Sequence, residues 1–219
     1  ISIKPDMDFL FGTLFNNKMN LAHWSNYSKN LKELTRKINN NEKTIGPFSL
    51  LGLIDDPALQ RRASEIFTQY HYPNNYNLQN IPTYSLHQKI RIGYFSGDFK
   101  IHPVAYLTAE LYELHNRDHF EIHAFSFGPD TNDEMNLRIK TGVDHFHNVA
   151  LMSNKEIALL TRSLEIDIAV DLSGFSGNSR PKVFALSAAP IQLSYIGYLG
   201  TMAADYYDYL IADPVMIPK

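Results

Sequence analysis

The sequence predicts an α/β protein, a Rossmann-like doubly wound parallel sheet preceded by a small all-α segment. From residue 90 onward, short apolar runs alternate with amphipathic stretches, so the hydrophobic period switches repeatedly between 2 and 3.6. The apolar runs are nearly continuous, as in strands buried on both faces. Before residue 72 the periodicity is helical only. Strands and helices in strict alternation call for a parallel sheet with crossover helices.

In chain order, Phe9, Leu10, Thr13, Leu14 and Met19 recur at helical spacing between Asp6 and Asn20. Ser25 or Asn26 is of N-cap type, and the stretch that follows sets Tyr27, Leu31, Leu34 and Ile38 on one helix face. Gly46-Pro47 breaks the pattern, and Pro57 opens a third helix through about Tyr70. Tyr72 to His87, rich in Asn, Pro and Tyr, has no period and reads as a linker. Strands are expected at Ile90–Phe95, Glu121–Phe127, His145–Val149, Asp167–Leu172, Ile191–Ile196 and Tyr209–Ala212. Helices fit between them at Pro103–His115, Asn132–Thr141, Lys155–Glu165 and Pro181–Ser187. The expected organisation is a helical segment over residues 1–85 and an α/β lobe over 86–219.

Composition excludes several classes. With 219 residues, 44% hydrophobic and 20% charged, the chain can bury a sizeable core. Lys and Arg number 20 against 23 Asp and Glu, and no basic stripe alternates with aromatics, which argues against a nucleic-acid groove. The chain has no cysteine, which removes disulfides, thiolate catalysis and Cys-ligated zinc. No run approaches the roughly 18 apolar residues of a membrane span and no signal-peptide pattern opens the chain, so a cytoplasmic protein is expected. Without an initiator Met, and closing on Ile217-Pro218-Lys219, the chain is expected to be part of a longer protein.

The segment Lys89 to Val104 carries the clearest site signal. An apolar strand runs into Gly97-Asp98, and Pro103 suits a first helical turn, which puts His102 at or beside an N-cap. Strand ends beside helix starts are where open α/β sheets bind ligands, and free N–H groups there favour negative charge. Right-handed crossovers gather such loops on one edge and should bring His102, Ser173–Arg180 and Gly197–Thr201 near one another.

Four motifs in register carry a family resemblance: Arg91-Ile92-Gly93-Tyr94-Phe95-Ser96-Gly97-Asp98-Phe99 with His102-Pro103; Ala189-Pro190-Ile191-Gln192; Ile196-Gly197-Tyr198-Leu199-Gly200-Thr201; and Asp208-Tyr209-Leu210-Ile211-Ala212-Asp213. Together they resemble the O-linked N-acetylglucosamine transferase family, which includes SPINDLY-type enzymes. His23-Trp24-Ser25-Asn26-Tyr27 is similar to the junction where that family's tetratricopeptide superhelix ends. The resemblance implies the first lobe of a two-lobe GT-B glycosyltransferase, with the second lobe, and most of the sugar-nucleotide pocket, beyond Lys219. It implies inverting transfer of N-acetylglucosamine from UDP-N-acetylglucosamine (UDP-GlcNAc) to Ser or Thr of a protein or peptide acceptor, with no metal and no cofactor besides the sugar nucleotide. A GDP-fucose-dependent O-fucosyltransferase is the alternative donor class, and a non-catalytic peptide-binding module the alternative of another kind.

By the same resemblance His102 is the catalytic base or a group that organises the site, with Pro103 beside it. Gly197, Tyr198, Leu199, Gly200 and Thr201 would line the acceptor and sugar region; Leu199 stands where the family usually has proline. A histidine suits hydroxyl deprotonation, but it also serves as a plain N-cap. In Ser173-Gly174-Phe175-Ser176-Gly177-Asn178-Ser179-Arg180, Arg180 could meet phosphate, though a solvated or acid-paired arginine is the commoner case. His145 and His147 share a strand face, but spacing along the chain supplies no third ligand, so no metal is assigned. Asp6-Met7-Asp8 has Asp-x-Asp spacing at a helix start, where capping is the simpler reading. Asp205 to Tyr209 forms an aromatic cluster that either packs the last strand or presents a surface for the second lobe.

Overall fold

A computed structural model describes residues 7–74, 78, 81–85 and 87–217. The chain divides into a helical unit, Ile1–Pro73 with Gly200–Ala204, and an α/β unit, Asn74–Leu199 with Asp205–Lys219.

The helical unit holds α1 (Leu10–Asn20), α2 (Tyr27–Asn39), α3 (Pro47–Leu51) and α4 (Pro57–His71). Their apolar stripes meet in a core of Phe15, Leu34, Ile38, Ile45, Leu50, Leu59 and Ala63. α4 starts where Pro57 predicts, with the Asp56 carboxylate accepting the Ala58 and Leu59 N–H groups. Three local details depart from expectation. Gly46-Pro47 opens the short helix α3 instead of only ending a pattern, because proline suits a first helical turn. Asp8 does not cap α1: Phe9 takes that position at φ 62°, its N–H bonds the Lys43 carbonyl, and Asp8 pairs with Lys43 Nζ at 3.1 Å. Asp6 lies outside the described residues. Asn26 precedes α2 in a left-handed conformation and its side chain caps nothing. The described residues between Tyr72 and Gln88 carry no helix or strand.

The α/β unit runs β1 (Ile90–Ser96), α5 (Pro103–Leu114), β2 (Phe120–Ser126), α6 (Glu134–Gly142), β3 (His145–Asn148), α7 (Asn154–Ser163), β4 (Ile168–Asp171), α8 (Pro181–Ala185), β5 (Ile191–Tyr195) and β6 (Tyr209–Ile211). All strand pairs are parallel, in the order β3-β2-β1-β4-β5-β6. This is the doubly wound α/β architecture that the alternating period predicts. Register places Ile92 beside both Ile122 and Ile168. Those residues' face packs against α5 and α6 through Val104, Ala105, Ala109, Tyr112, Met135 and Ile139. On the opposite face Phe95 stacks on Phe125 at 4.4 Å and meets Phe184 of α8 edge-on at 5.3 Å. Strand order reverses between β1 and β4, and the crevice beyond their carboxyl ends is where such sheets bind ligands.

Candidate functional site

β1 delivers His102 to the start of α5. His102 is the N-cap of that helix, its extended backbone at φ −160° and ψ 148°, and its Nδ1 accepts the Val104 N–H at 3.2 Å. Pro103 fills the first helical position, where its missing N–H is no loss. A ring nitrogen that accepts an N–H bond carries no proton, so the neutral ring is protonated at Nε2. Nε2 lies 3.9 Å from Asp98 Oδ2, and the ring is 37% exposed. The loop between strand and helix is pinned: Ser96 Oγ accepts the Asp98 N–H, Asp133 of the α6 N-cap accepts the Ile101 N–H, and Asn136 Nδ2 donates to the Phe99 carbonyl.

β4 lies beside β1, with Asp171 the register partner of Phe95. Asp171 is fully buried at its end. Its Oδ1 accepts the Ser173 and Gly174 N–H groups at 2.9 and 3.1 Å, and its Oδ2 accepts the Tyr207 hydroxyl at 2.5 Å. Burial pushes this carboxyl above the usual carboxylate range, against the pull of the three donors. The turn that Asp171 holds interlocks with the loop after β5. Gly174 has φ +52°, and a Cβ there would stand 2.5 Å from that of Tyr198, while a Cβ on Gly197 would stand 1.6 Å from the Leu172 carbonyl oxygen. Tyr198 is buried and meets Phe175 edge-on at 5.5 Å; Leu199 is exposed. The Ser173 hydroxyl is buried without a hydrogen-bond partner among the described residues.

The remaining expected residues are placed as follows. Arg180 donates from Nη1 to the Met152 carbonyl at 2.5 Å and from Nη2 to the Ala150 carbonyl at 2.9 Å, which ties the loop after β4 to the loop after β3. The division between units falls inside Gly197–Thr201: Gly200 and Thr201 group with the helices. There Thr201 Oγ1 accepts the Ala203 N–H, and the Met202 carbonyl accepts the Thr68 hydroxyl at 3.0 Å. Of the aromatic cluster, Tyr206 is buried, Tyr207 serves Asp171, and Tyr209 is exposed on β6. Asp171 and Tyr207 were missed by the sequence reading. The available signal was an aspartate closing a buried strand just before Ser-Gly; Tyr207 stood out only as a member of the aromatic cluster, with nothing to name its partner.

At the amino ends of the strands the odd-numbered residues of β2 and β3 form a second cluster. Glu121 Oε1 lies 3.1 Å from His123 Nε2 and 3.0 Å from His145 Nε2, and His123 Nδ1 lies 3.0 Å from His147 Nε2. The sheet thus groups His145 with Glu121 and His123 of β2, and His147 touches that group only through His123. Burial, then the neighbouring His123 and His145, pushes the His147 ring down to about 4.

Residues 64–219 match the sequence model of glycosyl transferase family 41. The Arabidopsis thaliana protein named "Probable UDP-N-acetylglucosamine--peptide N-acetylglucosaminyltransferase SEC" is 37% identical over 131 residues, 60% of this chain and 13% of that protein. The Caenorhabditis elegans UDP-N-acetylglucosamine--peptide N-acetylglucosaminyltransferase is 34% identical over 134 residues, 60% of this chain and 12% of its own length. The chain thus matches only a small part of its curated relatives. A mutant Thermobaculum terrenum O-GlcNAc transferase shares the fold, with a TM-score of 0.71 at 24% identity over 92% of this chain and 40% of that one. No helix among the described residues is long and apolar enough to cross a membrane. With the matched span covering most of its length, the chain belongs to glycosyl transferase family 41.

Proposed function

We propose that this chain supplies the acceptor-side lobe of a protein O-glycosyltransferase that moves N-acetylglucosamine from UDP-GlcNAc to Ser or Thr hydroxyls with inversion. The observation that carries the reading is that two built loops leave adjacent strand ends at the sheet's switch point: the His102 N-cap after β1 and the Asp171-held turn after β4. The names of the relatives support both the donor and the peptide acceptor. The chain covers 40% of the solved transferase it matches, and the nucleotide is assigned to the part of such a protein that this chain does not span; a cytoplasmic setting suits a chain without cysteine.

In such a transfer the acceptor oxygen attacks the anomeric carbon, the bond to the diphosphate breaks, and the hydroxyl proton passes to an oxygen of the departing diphosphate. The leaving group is already good, so orientation and charge stabilisation supply most of the rate. With Nδ1 engaged by Val104, His102 offers Nε2–H as a donor to an oxygen of the acceptor or sugar. Acting as a base at Nε2 would require the other tautomer and loss of the cap, a cost of about 1 kcal/mol, or roughly fivefold in rate. In the tautomer that the Val104 bond selects, His102 is read as a donor that orients the reacting groups. Pro103 sets its helix start, Gly197, Tyr198 and Leu199 shape the loop after β5, and Arg180 braces the loop after β4.

The test is transfer by the full-length protein from labelled UDP-GlcNAc and, separately, GDP-fucose to a Ser/Thr peptide. The expected result is GlcNAc transfer, lost in His102→Ala with the fold retained. Transfer of fucose alone would replace the donor assignment, and unchanged activity in His102→Ala would remove the site assignment.

A further inference from the structure

We propose that Glu121, His123 and His145 form a binding site for one divalent transition-metal ion of the zinc class, at the sheet edge opposite His102. The three ligand atoms are the carboxylate oxygen and imidazole nitrogens that zinc, cobalt and nickel favour. Zinc held tetrahedrally at about 2.0–2.1 Å from its ligands needs ligand atoms roughly 3.3 Å apart. Glu121 Oε1 stands 3.1 and 3.0 Å from the two Nε2 atoms, and all three ligand atoms lie within 4.8 Å of one another.

The supporting scaffold is rigid. Glu121 and His123 are two apart on β2, so they share a face, and His145 is the register partner of His123 on β3. The outer contacts are those that metal ligands commonly have. His147 Nε2 faces His123 Nδ1 at 3.0 Å and can accept the hydrogen bond that Nδ1–H donates when Nε2 binds metal. Arg91 Nε lies 3.4 Å from Glu121 Oε2, which leaves Oε1 turned toward the two rings. His145 is half exposed, and with Glu121 it borders a cavity of about 580 Å³ lined also by His87, Gln88, Lys89, Arg91 and Asp144. An ion has a way in, and water has room for the fourth position.

Two features work against the ion. The same separations satisfy hydrogen bonds from two neutral rings to one carboxylate, and the Arg91 guanidinium repels a cation. The site is accordingly expected to bind moderately. It does not depend on the proposed transfer reaction, because its ligands lie at the amino ends of the strands and His102 beyond the carboxyl end of β1.

The experiment is calorimetric titration of the purified full chain with Zn²⁺ alone, followed by Co²⁺ titration read by visible absorption. The expected result is saturable binding of one ion per chain, with a cobalt spectrum of four-coordinate nitrogen and oxygen ligation. His145→Ala and Glu121→Gln should each weaken binding by about tenfold or more, and His147→Ala by about tenfold through the outer contact. His119→Ala, an exposed histidine outside the cluster, should leave binding unchanged. His145 is exposed enough that its removal should spare the fold, which circular dichroism checks. Absence of stoichiometric binding, retention of full affinity in His145→Ala, or equal weakening in His119→Ala would overturn the proposal.

Discussion

At the carboxyl edge of the sheet side chains chiefly hold backbone; at the amino edge they also hold one another as charged pairs. Beyond β1 and β4, His102 caps Val104, Asp171 caps Ser173 and Gly174, and Arg180 holds the carbonyls of Ala150 and Met152. Before β1 and β2, His87 meets Glu165 and Asp167, Arg91 meets Glu121 and Glu165, and Glu121 meets His123 and His145. The first arrangement fixes loop geometry, as a reacting site requires. The second fixes charge, and it should respond to pH and ions where the first responds to steric change.

The largest expected effect breaks the carboxyl edge. In Gly197→Ala the new methyl would meet the Leu172 carbonyl oxygen at 1.6 Å, a backbone group that cannot rotate away. The loss should reach at least ~3 kcal/mol in urea unfolding. Gly52→Ala, with open space at its Cβ, is the control and should change little. A loss below about 1 kcal/mol for Gly197→Ala would mean that the loops after β4 and β5 do not interlock.

Asp171→Ala comes next. It leaves the Ser173 and Gly174 N–H groups and the Tyr207 hydroxyl without their shared acceptor, for roughly 3 kcal/mol of lost stability. Asp171→Asn should cost less, because an amide oxygen still accepts the two N–H bonds and the desolvation cost of a buried charge disappears. If the Asn form is as damaging as the Ala form, the charge itself holds the turn.

The smallest effects belong to the amino edge and take the form of pH dependence. The hydrogen bond to Glu165, and after it that to Asp167, raises the His87 value above its usual 6.5. Its contribution to stability is then fully present below about pH 6.5 and is lost as pH rises through the folded value. His115 is opposite: burial, then Arg117, lowers its value, so its contribution is present above about pH 6.5 and lost as pH falls through the folded value. His87→Gln should flatten the alkaline side of the stability curve and His115→Gln the acid side, each by less than about 1 kcal/mol. NMR titration of the two rings supplies the sign independently.

How much of this was legible in the sequence follows the same division. The alternation of strand and helix came through because buried parallel strands and amphipathic helices leave strong periodicities, and all six strands and four crossover helices stand where the pattern put them, with ends shifted by a few residues. His102 was legible because Pro103 marks the helix start beside it. Asp171 with Tyr207 was not: the bond joins residues 36 apart in sequence, and no local pattern announces it. The Glu121–His123–His145 cluster failed for the same reason, since β2 and β3 bring its members together only across the sheet. α3 was missed because Gly46-Pro47 was read as the end of a pattern, whereas α8, equally short, was placed by reading Pro181 as a helix start.

The claim that the carboxyl edge is the working edge of a glycosyltransferase, with His102 as donor, is tested most directly by GlcNAc transfer in the full-length protein carrying His102→Asn beside His102→Ala. Asparagine keeps a capping oxygen and an N–H donor but cannot act as a base. The account predicts that His102→Asn stays within about tenfold of the parent while His102→Ala loses far more. A loss of about 100-fold or greater in both, the size of a missing general base, would contradict the donor role and return His102 to proton abstraction.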